Sequence, residues 1–185
     1  MKSCFRKFFF LYFVCFLYGC ATHNTVTEAE LDPSFLKQEY ILLSDEYFAI
    51  SKYDKALDFL LKANNIAPDN ALDYKIARTA AFAKQWDISS RYYNLLLEKD
   101  SGNLAVQKSL AWVLAQSGHI EESCNLFEKL YANSSWDAEI VKNYVLVLLA
   151  LENITLAQSV LDEYAVLNPT DKIIAELADA FPTKN

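Results

Sequence analysis

Few side chains in this 185-residue chain could do chemistry alone. The two histidines, His23 and His119, and the four cysteines offer no metal-ligand cluster at usable spacing. Cys124 has no base beside it and falls in an apolar helical pattern, where a small buried hydrophobe is the expected role. No Gly-rich phosphate loop and no Gly-x-Ser-x-Gly elbow occur, and no cofactor is called for. The acid pairs Glu121/Glu122 and Asp162/Glu163 read as solvated surface. What remains is one cysteine, Cys20, directly after Gly19 at the end of an apolar run, and a set of cations and aromatics: Tyr74, Arg78, Lys108, Trp112 and Lys142. The first could carry an acyl chain. The second could hold carboxylates, with Arg giving paired hydrogen bonds and Trp giving apolar area. Neither is catalytic chemistry, so the chain is expected not to be an enzyme.

Composition narrows the class. The chain has 17 Lys+Arg against 24 Asp+Glu, a net charge of −7, which argues against nucleic acid as a partner because that needs a basic field. Hydrophobic residues make up 53%, enough for a sizeable core, so a disordered chain is excluded. Three Gly and four Pro are too few for a loop-rich β-sandwich.

The first nineteen residues differ from the rest. Lys2, Arg6 and Lys7 precede an uncharged, aromatic-rich run from Phe8 to Tyr18. As a helix, eleven residues rise roughly 16 Å, against about 30 Å of bilayer hydrocarbon. A basic start, a short apolar stretch and a small residue form an export signal. Leu17-Tyr18-Gly19-Cys20 resembles the lipobox of bacterial lipoproteins, with Tyr18 standing where that pattern favours a small residue. The resemblance implies cleavage before Cys20 and lipid on its thiol, hence a membrane anchor in the bacterial envelope. Ala21 would permit outer-membrane delivery, on the periplasmic side, in a host with two membranes. Loss of residues 1–19 removes three cations and no acid, leaving 14 basic and 24 acidic residues, about −10. Residues 20–31 read as a polar tether.

From Asp32 onward the apolar residues recur at three- and four-residue spacing. Self-comparison shows a frame of four. Tyr53-Asp54-Lys55-Ala56-Leu57 returns as Trp86-Asp87-Ile88-Ser89-Ser90, as Ile120-Glu121-Glu122-Ser123-Cys124 and as Ile154-Thr155-Leu156-Ala157-Gln158. Small residues Ala56, Ser89, Ser123 and Ala157 keep step with large ones four positions on, Leu60, Tyr93, Phe127 and Leu161. An upstream helix carries its own position at Ser44, Ala77, Ala111 and Val145. The spacing predicts helices over 33–50, 53–66, 71–83, 86–98, 103–116, 120–131, 136–150, 154–167 and 171–180.

Two helices per 34 residues with small residues at the crossings resemble the tetratricopeptide repeat family, over residues about 37–171. The resemblance implies an all-α, right-handed α-solenoid: a repeat domain at 32–171, with repeats about 37–70, 71–103, 104–137 and 138–171, then a capping helix and tail at 172–185 that cover Val160 and Tyr164. Ser101 and Ser135 replace the family's closing proline, so repeats two and three are expected to be looser at their ends. In the family, two rows of the first helix line a concave groove. Those rows here are Ile41, Tyr74, Lys108 and Lys142, and Asp45, Arg78, Trp112 and Leu146. Repeat two is one residue short, so Lys75 is the alternative to Tyr74. The implied function is a lipoprotein adaptor that binds a protein or peptide partner through the groove, possessing acidic or C-terminal carboxylate groups, in envelope assembly or transport. The alternative is binding of a small molecule or cell-wall fragment for transport or remodelling.

Overall fold

The computed structural model describes residues 32–182, and the signal segment, Cys20 and the tether lie outside the described residues. Those residues form α1 (Pro33–Ala49), α2 (Tyr53–Ile66), α3 (Asn70–Phe82), α4 (Trp86–Lys99), α5 (Leu104–Gln116), α6 (Ile120–Asn133), α7 (Ala138–Ala150), α8 (Ile154–Leu167) and α9 (Lys172–Ala178). Each helix packs on the next along the chain, α9 also returning to α7, which is the order of an all-α solenoid. The last helix is shorter than its apolar pattern suggests. It starts after the Asp171 cap and stops at Ala178.

The helices cross where the repeat places its small residues. Ala56, Ser89, Ser123 and Ala157 are each 0% exposed, as are Ala77, Ala111 and Val145. Two of these are serines without loss, because the Ser89 and Ser123 hydroxyls donate to the carbonyls of Ala77 and Ala111, at 2.8 and 2.7 Å, across the pair. A buried hydroxyl with a backbone acceptor avoids the cost of an unmet donor. Leu60, Tyr93, Phe127 and Leu161 fill the layers between.

The turns repeat as well. First helices end with a residue in the left-handed region: Ser51, Lys84 and Glu152 at φ 58° and Gly118 at φ 89°. The next N–H then reaches five residues back, Gln85 to Ala80, His119 to Leu114 and Asn153 to Leu148, satisfying an end carbonyl. Second helices hand over to first helices through a capping side chain. Asp69, Asn103, Asp137 and Asp171 accept first-turn N–H groups of α3, α5, α7 and α9. Asn103 and Asp137 thus close the two junctions expected to be loose for want of proline: the cap fixes the next helix from its own end.

The final layer is covered by α9. Leu177 is 1% exposed, and Ile173 and Ile174 pack on the cluster that holds Val160 and Tyr164. The Tyr164 hydroxyl donates to Asp171 at 2.6 Å, and burial with that bond pushes the phenol up to about 12. Two other surface details depart from the sequence reading. Cys124 is half-buried at the edge of this cluster, and partial burial, then Glu128 and Glu121, raise its thiol. Glu163 is no purely solvated acid, because it accepts the Tyr131 hydroxyl at 2.7 Å.

Candidate partner-binding cavity

The first helices α3, α5 and α7 present a common face, and α4 backs it. Between them lies a cavity of about 460 Å³. Tyr74 and Arg78 come from α3, Lys108 and Trp112 from α5, and Lys142 from α7, so one cavity brings together all five residues singled out in the sequence. The register question is answered by position. Tyr74 lines the cavity, while Lys75 turns to Asp45 of α1 at 2.7 Å. Phe82, Tyr93, Glu139 and Asn143 add to the walls. The repeat pattern assigns Tyr93 to the core, and it serves both purposes, being 3% exposed under the cavity floor.

The aromatic walls are braced by one another. Tyr74 meets Tyr93 edge-on at 6.2 Å, and Trp112 meets Trp86 edge-on at 5.9 Å. Tyr74 and Trp112 nevertheless keep 39% and 38% of their surface exposed, leaving apolar area for a ligand. Burial raises the Tyr93 phenol, with the Ser109 hydroxyl opposing the rise, so it stays neutral at physiological pH.

The three cations are not equivalent. Lys108 is held by Asp137 at 3.1 Å and by Glu139 at 2.5 Å. Lys142 is held by Glu176 of α9 at 2.9 Å. Arg78 has no carboxylate in salt-bridge reach among the described residues. Its guanidinium instead lies 4.9 Å from the Phe48 ring and 5.6 Å from the Phe82 ring. The basic patch read from the sequence therefore reduces to one uncompensated cation, Arg78, with two lysines that already tie neighbouring repeats. An arginine stacked on rings keeps the edge of its planar fork free for a carboxylate.

No protein-family model matches the chain. Among curated proteins it is 25% identical to an uncharacterized lipoprotein of Treponema pallidum (strain Nichols), across 98% of this chain and 92% of that protein. Among solved structures it superposes on YrrB, a tetratricopeptide protein with an unusual peptide-binding site, with TM-score 0.67 and 19% identity over 80% of this chain and 76% of that one. A thermophilic tetratricopeptide protein of Thermus thermophilus gives TM-score 0.57 at 19% identity, over 78% and 82%. The chain has the tetratricopeptide-repeat fold. The first repeat module of Spaghetti, solved with the HSP90 peptide SRMEEVD, gives TM-score 0.54 at 18% identity, over 64% of this chain and 95% of that one. The two kinds of likeness together support the resemblance to a bacterial lipoprotein with tetratricopeptide repeats.

Proposed function

We propose that this protein is a lipid-anchored envelope adaptor that holds a peptide or protein segment in the cavity between α3, α5 and α7. The observation that carries the reading is the single free cation among exposed aromatics. Arg78, bordered by Tyr74, Phe82 and Trp112, suits a ligand with one carboxylate, from an acidic side chain or a C-terminus, flanked by apolar groups. Lys108 and Lys142 belong to the wall of that site, where their charge is balanced by Glu139 and Glu176. Lipid on Cys20 would hold the repeats near the bilayer, facing the periplasm from the outer membrane in a host with two membranes. Peptide binding by YrrB and by the Spaghetti module gives the fold a precedent for this use.

A second reading has its own support. A cavity of about 460 Å³ walled by aromatics falls within the range of small-ligand sites, roughly 300–1,000 Å³, so a cell-wall fragment or other small molecule is the competing occupant. Both readings are tested by purifying the full protein from membranes in mild detergent, as wild type and as Arg78→Glu. The adaptor reading expects a stoichiometric protein with the wild type and at least about a tenfold loss with the variant, the cost of reversing one charge-assisted pair. Equal capture by both would overturn it. A small molecule in the wild-type complex, identified by native mass spectrometry, would select the second reading.

A further inference from the structure

The two edges of the repeat domain differ in chemistry. Because the helices alternate in direction, α1, α3, α5, α7 and α9 all begin at one edge, and α2, α4, α6 and α8 all end there. Large apolar side chains stand exposed at that edge. They are Phe35 in the first turn of α1, Leu104 at the start of α5, Trp136 in the α6–α7 connection, and Val166 and Leu167 at the end of α8. Trp136 is 68% exposed and Val166 81%, values that a folded protein in water gains nothing from. No aromatic or cationic side chain stacks on Trp136 among the described residues. The opposite edge has Ile50, Leu156, and Phe82 where the cavity begins, with no exposed tryptophan among the described residues. Its connections are otherwise rich in polar residues: Ser51, Lys52, Lys84, Gln85, Ser117, His119, Glu152 and Asn153.

Three capping acids of this edge are directed into the fold, while Glu98 and Asp100 at the end of α4 are exposed. Asp69, Asp137 and Asp171 each accept a helix N–H, and each has a second partner, in Lys37, Lys108 and the Tyr164 hydroxyl. Lys37 and Lys99 at this edge are likewise engaged, by Asp69 and by Asp73. The edge therefore offers apolar groups and largely compensated charges, with Lys172 exposed beside them and no basic cluster for anionic lipid among the described residues.

We propose that this edge rests on a phospholipid bilayer, with Trp136, Val166 and Leu167 in the interfacial layer of a zwitterionic leaflet. The described chain begins at Asp32, at this edge, twelve positions after Cys20. Twelve extended residues reach at most about 43 Å, so a lipid on Cys20 keeps the repeats near the surface, and the exposed apolar side chains select this edge. Tryptophan prefers the membrane–water interface, where its ring is shielded and its N–H stays hydrated. A weak apolar contact suffices, because the anchor makes the second contact intramolecular. The inference rests on the lipid-anchor part of the proposed function, and not on the cavity.

The test uses the full lipidated protein reconstituted in phosphatidylcholine vesicles, with and without bromine on shallow acyl positions, as wild type and as Trp136→Phe. The expected result is that bromine quenches one tryptophan component about twofold and that Trp136→Phe removes this component, since Trp86 and Trp112 lie away from this edge. Replacing Val166 and Leu167 by Ser should reduce the quenching, and phosphatidylglycerol should not increase it. Vesicle flotation separates the two ideas. Protein that floats but shows no bromine effect on Trp136 overturns the membrane-facing edge and leaves the anchor standing. Protein that does not float overturns the anchor and the edge together. A concentration-dependent blue shift of Trp136 in vesicle-free detergent, without quenching in vesicles, gives the edge to a second copy and also overturns the proposal.

Discussion

The two ends of the cavity hold positive charge in different ways. At the α3 end Arg78 lies over Phe48 and Phe82 and meets no acid among the described residues. At the α5 and α7 end Lys108 and Lys142 close on Asp137, Glu139 and Glu176. All three stand on successive first helices, Lys108 and Lys142 in one row and Arg78 one turn further on in the other. The neighbour one repeat later separates them further. Lys108 has an acid 29 and 31 residues on, and Lys142 has one 34 residues on. The positions 31 and 34 after Arg78 hold Ser109 and Trp112. In a solenoid, the next repeat decides whether a cation ties the fold or remains for a ligand.

The largest expected effect lies at Lys108, whose side chain is 19% exposed beside an Asp137 that is 17% exposed. Lys108→Met should lower unfolding free energy by about 1.5 kcal/mol, below the cost of breaking a fully buried pair because Asp137 keeps its helix N–H donors. Urea denaturation of the two proteins measures it. A change below about 0.3 kcal/mol would make Lys108 a free cation like Arg78 and erase the contrast between the two ends.

The same pair sets a pH dependence. Partial burial alone would raise the Asp137 carboxyl, but the Ile140 N–H and Lys108 outweigh it and hold the group below its ordinary 3.8. A carboxyl with a depressed folded value contributes stability above its unfolded value and loses it as pH falls through the folded one. Stability from Asp137 should therefore begin to fall near pH 3.8 and go on falling to the lower folded value in the wild type. In Lys108→Met the folded value lies closer to the unfolded one, so the loss should be smaller and should end at a higher pH. Urea midpoints taken between about pH 2 and 6 would show the displaced limb, and coincident limbs would mean that Lys108 does not act on Asp137.

Lys142 provides a smaller effect. Its side chain and that of Glu176 are 44% and 56% exposed, so water and salt screen the pair. Lys142→Met should cost no more than about 0.5 kcal/mol, and the difference should vanish in high salt. A larger, salt-independent loss would mean that this lysine secures α9 as firmly as Lys108 secures α7.

Much of this organisation could be read in the chain before any coordinates. Four phases of small and large residues placed the crossings, because a residue with 0% exposure at a helix crossing tolerates little beyond Ala or Ser, with Val145 as the largest here. The same phase placed Tyr74, Arg78, Lys108, Trp112 and Lys142 on one face. Two things were missed. The closing caps Asn103 and Asp137 went unrecognised because the family's proline was sought two residues earlier, although both types are strong cap residues. The state of each cation was missed because it depends on a side chain some 30 residues away, and a pattern within one helix does not contain that information. Comparing charges at repeat spacing would have found Glu139 and Glu176.

The smallest expected effect on stability is at Arg78, and it is the sharpest probe of the comparison. The side chain is exposed and has no ion pair among the described residues, so Arg78→Leu loses only the attraction to the two rings, about 0.5 kcal/mol at an exposed site. Leucine would still cover part of Phe48 and Phe82, which reduces the loss further. Arg78→Lys separates charge from geometry. It keeps the positive charge near the cavity but replaces a planar fork by a hydrated point charge. If Arg78 holds a carboxylate through paired hydrogen bonds, both variants should unfold at nearly the wild-type midpoint, and Arg78→Lys should retain only part of the partner capture that Arg78→Leu loses. Full capture by Arg78→Lys would reduce Arg78 to a general electrostatic contribution, and a midpoint lowered as far as in Lys108→Met would make it a structural residue like the lysines at the other end.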